Sequence, residues 1–250
     1  MSIARQHFEL YRSVAVFQRP KMFIVLFEVY PHRAQMQQYL DFAKLLRPEL
    51  EQIPGFIDNE RFTNIQNPGH ILSLSTWADE KALIRWRTHA QHHQVQKQGR
   101  AFVFADYRLR IGEVTVDTQP PHGHQLRQQR FDETETGGAK MLTVLERDPP
   151  TGNTTDDQTM HDAAINPNHA PAGWVEDLQF TSIYNPGKLV LLTGWNTAEA
   201  AHAWHAAQIV PINHAWLRSR FVRVIRAYGM RDRSEAPQYY PPVASETAVW

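Results

Sequence analysis

The residues best suited to chemistry crowd one stretch of the chain. His89, His92 and His93 stand at i, i+3 and i+4, which puts all three on one stripe of a helix. Such a stripe can ligate a metal, hold haem iron, or supply a general base near neutral pH. The plainer reading is a solvent-facing part of a polar helix, since Gln91, Gln94, Gln96 and Gln98 surround the histidines and no carboxylate accompanies them. Just beyond, Arg100 and Tyr107 could hold a phenolate and donate a proton to oxygen chemistry, with Asp106, Arg218 and Tyr228 as further candidates. An arginine after a helix-ending Gly99 also neutralises the carbonyl end of a helix. Trp86 and Trp204 could stack on a planar ring or fill a core. Asn64 and Tyr184 lie on hairpins whose parity leaves their direction open. The candidate catalytic set is therefore His92, His93, Arg100 and Tyr107, and the candidate substrate-binding set is Trp86, His89, Asn64 and Trp204, with no metal site expected.

The elements that must position these residues occur twice. The segment from Gly55 to Trp77 aligns without a gap on Gly173 to Trp195, an offset of 118 residues. That offset pairs Phe62 with Phe180, Asn67-Pro68-Gly69 with Asn185-Pro186-Gly187, Trp86 with Trp204, Arg100 with Arg218, and Glu28 with Glu146. A metal site present in both copies would keep its register, yet His202, His205 and His214 do not fall on the first copy's histidine positions.

Within the first copy, Met22 to Tyr30 is a continuous apolar run ended by Pro31 and reads as a buried strand. Met36, Leu40, Ala43, Leu46, Leu50 and Ile53 give a helix over Arg33 to Ile53 one apolar face, and Pro54-Gly55 stops it. Phe56 to Ile65 and Ile71 to Trp77 form a hairpin across Asn67-Pro68-Gly69, whose glycine is expected at positive φ. A single second helix is predicted over Asp79 to Gln98, and a last strand over Phe102 to Val116. The order is β-α-β-β-α-β, so the expected class is α+β, two ferredoxin-like repeats packed sheet to sheet as a pseudo-dimeric barrel within one chain. In the second copy, Asn166-Pro167 and Ala170-Pro171 predict a short helix plus loop after Asp156. The predicted organisation is an N-terminal extension (1–20), a first domain (21–116), a linker (117–138), a second domain (139–232) and an extended tail (233–250), whose Tyr239-Tyr240-Pro241-Pro242 reads either as an aromatic strap or as a loose terminus.

Composition narrows the partners. Lys plus Arg and Asp plus Glu are 26 each, so no net field draws the chain to nucleic acid or an anionic membrane. Cysteine is absent, which removes thiolate chemistry and disulfides and fits a reducing, cytoplasmic setting. The first twenty residues lack a signal-peptide core, and no apolar run approaches the roughly 20 residues of a membrane span.

The apolar strand, the helix ending in Pro54-Gly55-Phe56, the hairpin leading to Trp77, and then Trp86, the three histidines, Gly99-Arg100 and Asp106-Tyr107-Arg108 together resemble the antibiotic-biosynthesis monooxygenase family of the dimeric α+β barrel superfamily. The resemblance covers Met22 to about Val116 best. It implies a pocket between sheet and helices, which some relatives use for cofactor-independent oxidation of phenolic compounds and others for haem. The first strand lacks the asparagine of haem-degrading relatives. The expectation is an oxygenase of a small aromatic or polycyclic substrate and dioxygen, without flavin, since no glycine-rich dinucleotide motif is present. Haem ligated by His92 or His93 and a non-catalytic scaffold are the alternatives, and a homodimer of the fused pair is a further expectation.

Overall fold

Eight strands close into one barrel in the order β1-β3-β2-β6-β7-β5-β8-β4 in the computed structural model, which describes residues 22–122, 126, 130–149, 164–207 and 216–237. The first half supplies β1 (Phe23–Pro31), β2 (Phe56–Asn64), β3 (Ile71–Trp77) and β4 (Phe104–Asp117). The second supplies β5 (Met141–Arg147), β6 (Trp174–Ser182), β7 (Leu189–Trp195) and β8 (Leu217–Gly229). All eight pairings are antiparallel; β4 with β8 and β2 with β6 join the halves. The helices are α1 (Met36–Glu51), α2 (Glu80–Thr88), α3 (Ala90–Gln98) and α4 (Ala198–Ala207). The chain is thus an α+β protein whose two ferredoxin-like halves pack sheet to sheet. Among the described residues no helix is long and apolar enough to cross a membrane. Asp156, His214 and the Tyr239 to Pro242 segment lie outside the described residues.

The apolar run of β1 follows from burial on both faces. Ile24 and Leu26 point into the barrel, where they meet Leu142, Val144 and Leu192 of the other half. Phe23, Val25 and Phe27 point outward, under the helices. The same alternation runs through β4, whose Tyr107, Leu109 and Ile111 face outward while Arg108, Arg110 and Val114 face in.

Charges inside the barrel are paired across the halves. Glu28 is fully buried and accepts from Arg108 (2.8 and 3.1 Å) and Arg110 (2.5 Å), while both arginines also reach Glu176 of β6. Burial alone would raise the Glu28 pKa, but the two guanidiniums outweigh it and hold the carboxyl well below its ordinary range. Glu146, its counterpart at the 118-residue offset, pairs with Arg220, and Lys188 reaches across to Glu60 at 2.8 Å.

Gly55 and Gly173, 118 residues apart, show why glycine is needed at both places. Both have positive φ (90° and 83°), and a Cβ would sit 2.7 Å from Ala82 Cβ in the first half and 2.5 Å from Ala200 Cβ in the second. Gly55→Ala or Gly173→Ala should each cost about 1–3 kcal/mol, read from urea midpoints. A cost near zero would mean the helix packed above can retreat.

Two expectations change. Gly187 takes positive φ (88°) but Gly69 does not. The first hairpin turn is instead held by Asn64 Oδ1, which accepts from the backbone of Gln66 (2.9 Å) and Asn67 (2.8 Å), as Ser182 Oγ does for Tyr184 and Asn185 in the second half. The single second helix is broken: His89 is extended (φ −62°, ψ 130°) between α2 and α3, and Gly99–Val103 then forms a π-turn into β4. Gly99 is needed there because Phe104 lies against it, 2.4 Å from where a Cβ would stand. In the second half a 3-10 turn, Pro167–His169, is the described helical element before β6.

Candidate active site

Between the outward face of the first-half sheet and α1 to α3 lies a cavity of about 180 Å³. Its floor is the odd-numbered side of the strands, from Asn59 and Arg61 of β2 to Leu109 and Ile111 of β4. Its roof is apolar: Phe42, Leu46 and Leu50 of α1, Leu83 of α2 and Val95 of α3. Tyr228 of β8 and Arg233 beyond it complete one wall, so the second half of the chain finishes a site that the first half builds.

The helix break positions His92. With His89 extended, the Trp86 carbonyl at the end of α2 stays open, and His92 Nδ1 sits 2.8 Å from it. A carbonyl only accepts, so Nδ1 carries the proton and Nε2 is the basic nitrogen; it faces the Gln96 side-chain amide at 3.3 Å. The imidazole stacks on Trp86, with centroids 4.1 Å apart and planes 13° from parallel. Burial pushes the His92 pKa down to about 4 against the opposing effect of the Trp86 hydrogen bond, and His89 and His93 push it further down. The imidazole is therefore neutral at physiological pH.

At the other side, the Tyr107 hydroxyl accepts from Arg100 and from Arg233 (2.7 Å). The Arg100 guanidinium also lies 5.5 Å from the Tyr107 ring centre. With two donors on its oxygen, the phenol directs its own proton elsewhere, and an anion formed nearby meets two cations. Burial raises the neighbouring Tyr228 pKa to about 12, which keeps that phenol protonated.

The cavity thus gathers His92, Arg100, Tyr107 and Trp86. The other candidates lie elsewhere. His93 is exposed on α3, and His89 sits 3.7 Å from Glu49 rather than on the cavity wall. Asn64 caps its hairpin turn. Trp204 packs on Trp195 at 5.3 Å in the second-half core, although it shares register with Trp86. Asp106 binds Arg231, Arg218 binds Asp117, and Tyr184 is half exposed. Arg61, Gln96, Tyr39 and Arg233 line the cavity without having been singled out from sequence. For Arg61 a signal existed: it shares strand parity with Asn59 on β2 and is charged in a strand otherwise expected to be half-buried.

A closed eight-stranded α+β barrel with a small cavity under one helical layer defines a class, and the comparisons agree with it. The sequence model of the antibiotic biosynthesis monooxygenase family matches residues 22–98. A Pyricularia oryzae protein named jasmonate monooxygenase is 37% identical over 227 residues, covering 89% of this chain and all of that protein. The chain belongs to the antibiotic biosynthesis monooxygenase family. Among solved structures, an aldoxime dehydratase in complex with butyraldoxime superposes with TM-score 0.56 at 11% identity, covering 83% of this chain and 80% of its own. A second aldoxime dehydratase gives TM-score 0.54 at 14% identity, over 83% and 82%. At such identities the likeness is one of fold.

Proposed function

We propose that the first-half cavity is the active site of a monooxygenase that oxidises a small cyclic organic substrate with dioxygen, His92 acting as base and the Arg100–Tyr107 pair as anion stabiliser. The observation that carries this is the half-buried, neutral imidazole whose basic nitrogen meets the Gln96 amide at the cavity wall, with a guanidinium-bound phenol on the same wall. In this reading Nε2 of His92 takes a proton from an acidic CH2 of the substrate. The carbanion gives its electrons to dioxygen, a C–O bond forms, and the protonated hydroperoxide loses water to leave a carbonyl; CH2 plus O2 becomes C=O plus H2O. Low basicity is the cost of keeping His92 neutral, and the cations near Tyr107 offset it by stabilising the carbanion. Trp86 holds the imidazole plane and borders the ring of the substrate.

A volume of about 180 Å³ is below the roughly 300–1,000 Å³ of pockets that hold drug-sized ligands, which favours a small ring over a polycycle. The name of the Pyricularia oryzae relative points the same way, to a cyclopentanone acid. Haem ligation would need Nε2 of His92 released from the Gln96 amide and a space larger than about 180 Å³.

Oxygen uptake by the purified, chelator-dialysed protein with jasmonate and with small cyclic ketones tests the reading. The expected result is one O2 consumed per product, with one atom of 18O retained. Turnover that begins only on adding haemin or a flavin would sink it.

A further inference from the structure

The charged side chains on the cavity wall are Arg61, Arg87, Arg100 and Arg233; among the described residues that line it there is no aspartate and no glutamate. Arg100 and Arg233 both donate to the Tyr107 hydroxyl, and no carboxylate on that wall faces the guanidiniums; burying a cation costs free energy unless an anion or acceptors meet it. Arg61 shows the shortfall best. Its Nη1 donates to Asn59 Oδ1 at 3.1 Å, its Nε is buried with no acceptor, and the buried hydroxyl of Tyr39, also on the cavity wall, lies against the same guanidinium.

Register places Arg61 relative to the proposed chemistry. Arg61 pairs with Ser73, Ser73 with Phe27, Phe27 with Leu109, and Leu109 with Tyr228, a single row across five strands on the cavity floor. At about 4.8 Å per strand, the two ends of that row lie on the order of 19 Å apart along the sheet. The Arg61 end holds Asn59, Ser73 and Tyr39; Tyr228 marks the far end, and Tyr107 lies one strand short of it on β4, its ring 5.5 Å from that of Phe27.

We infer that the substrate binds as an organic monoanion: its carboxylate is held by Arg61 with the Tyr39 hydroxyl, and its apolar body lies over Phe27 and Leu109 towards the Arg100–Tyr107 pair. This rests on the oxygenase reading, whose reacting end it fixes. A carboxylate suits Arg61 because a planar guanidinium takes it through two parallel N–H donors, and the orphaned Nε is one of the donors needed. The result is selection by charge at one end and chemistry at the other. Neutral molecules of equal shape bring the Arg61 cation no counter-charge.

Isothermal titration of the whole chain with jasmonate and with its methyl ester, a neutral molecule of nearly the same shape, tests this without any turnover. Wild type is expected to bind the acid roughly ten- to a hundredfold more tightly than the ester. Arg61→Gln should erase that preference by weakening the acid alone, and Arg61→Lys should restore part of it; circular dichroism melts check that both variants fold. Equal affinity for acid and ester in wild type overturns the anion site while leaving the oxygenase cavity standing. Preference kept in folded Arg61→Gln overturns the role of Arg61. If neither compound binds while oxygen uptake proceeds with a neutral ketone, the inference fails and the oxygenase reading survives; if there is neither binding nor uptake, both fail.

Discussion

Glu28→Ala is expected to destabilise the protein by about 3–5 kcal/mol, because it removes one partner of a buried ion network and leaves Arg108 and Arg110 with Glu176 alone. The side chains of Glu28 and Arg110 are nearly inaccessible (0% and 3%), so water cannot take over the lost contacts without entering the barrel. The sign with pH follows from the lowered pKa. Glu28 in the unfolded chain titrates near the ordinary carboxylate value and in the folded chain well below it. Its contribution is therefore complete above the unfolded value and is lost as pH falls through the folded one. Urea unfolding of wild type and variant across pH 7 to 3 measures both effects. A loss smaller than about 1 kcal/mol at pH 7 would mean the barrel interior is hydrated and the network is worth no more than a surface ion pair.

His92→Gln is expected to lower kcat by about 10²–10⁴-fold with little change in KM, the range for losing a general base. A merely structural role would not move the pH profile, so that profile decides the matter. With the His92 pKa at about 4, the acid limb of wild-type turnover should fall near pH 4, well below the ordinary histidine value of 6.5, and the variant should lose that limb. Stability moves in the same window. The unfolded chain takes up the proton near pH 6.5 and the folded chain only near 4, so the His92 contribution is whole above 6.5 and falls as pH drops towards 4, by roughly 3 kcal/mol in all. In His92→Gln that part of the acid sensitivity should vanish from the urea midpoints. An unchanged acid limb would assign the proton transfer to another group.

The strand and helix order was legible because each element carries its own period, and because the halves repeat it at one offset. The helix break at His89 was not: Thr88-His89-Ala90 contains no proline or glycine, and the break is stabilised by a contact that forms only in three dimensions, the His92 ring with the Trp86 carbonyl. Equal register also misled for Trp86 and Trp204. One borders a cavity and the other fills a core because the first half keeps α1 to α3 over its sheet, whereas α4 packs Trp204 directly onto Trp195. His92, Arg100 and Tyr107 could be read from residue type and nearness in sequence. Arg233 could not, since it comes to Tyr107 from 126 residues away.

Tyr228 and Arg233, contributed by the second half to the cavity of the first, bear on how such a molecule changes over generations. In a pair of identical chains any substitution in a shared wall appears at both sites at once, so an improvement at one is tied to damage at the other. A fused pair has no such tie. The last strand can be tuned for the first cavity alone while the second half still completes the barrel. The same arrangement forbids going back: a gene cut between the halves would yield a first half missing both its covering sheet and one wall of its site.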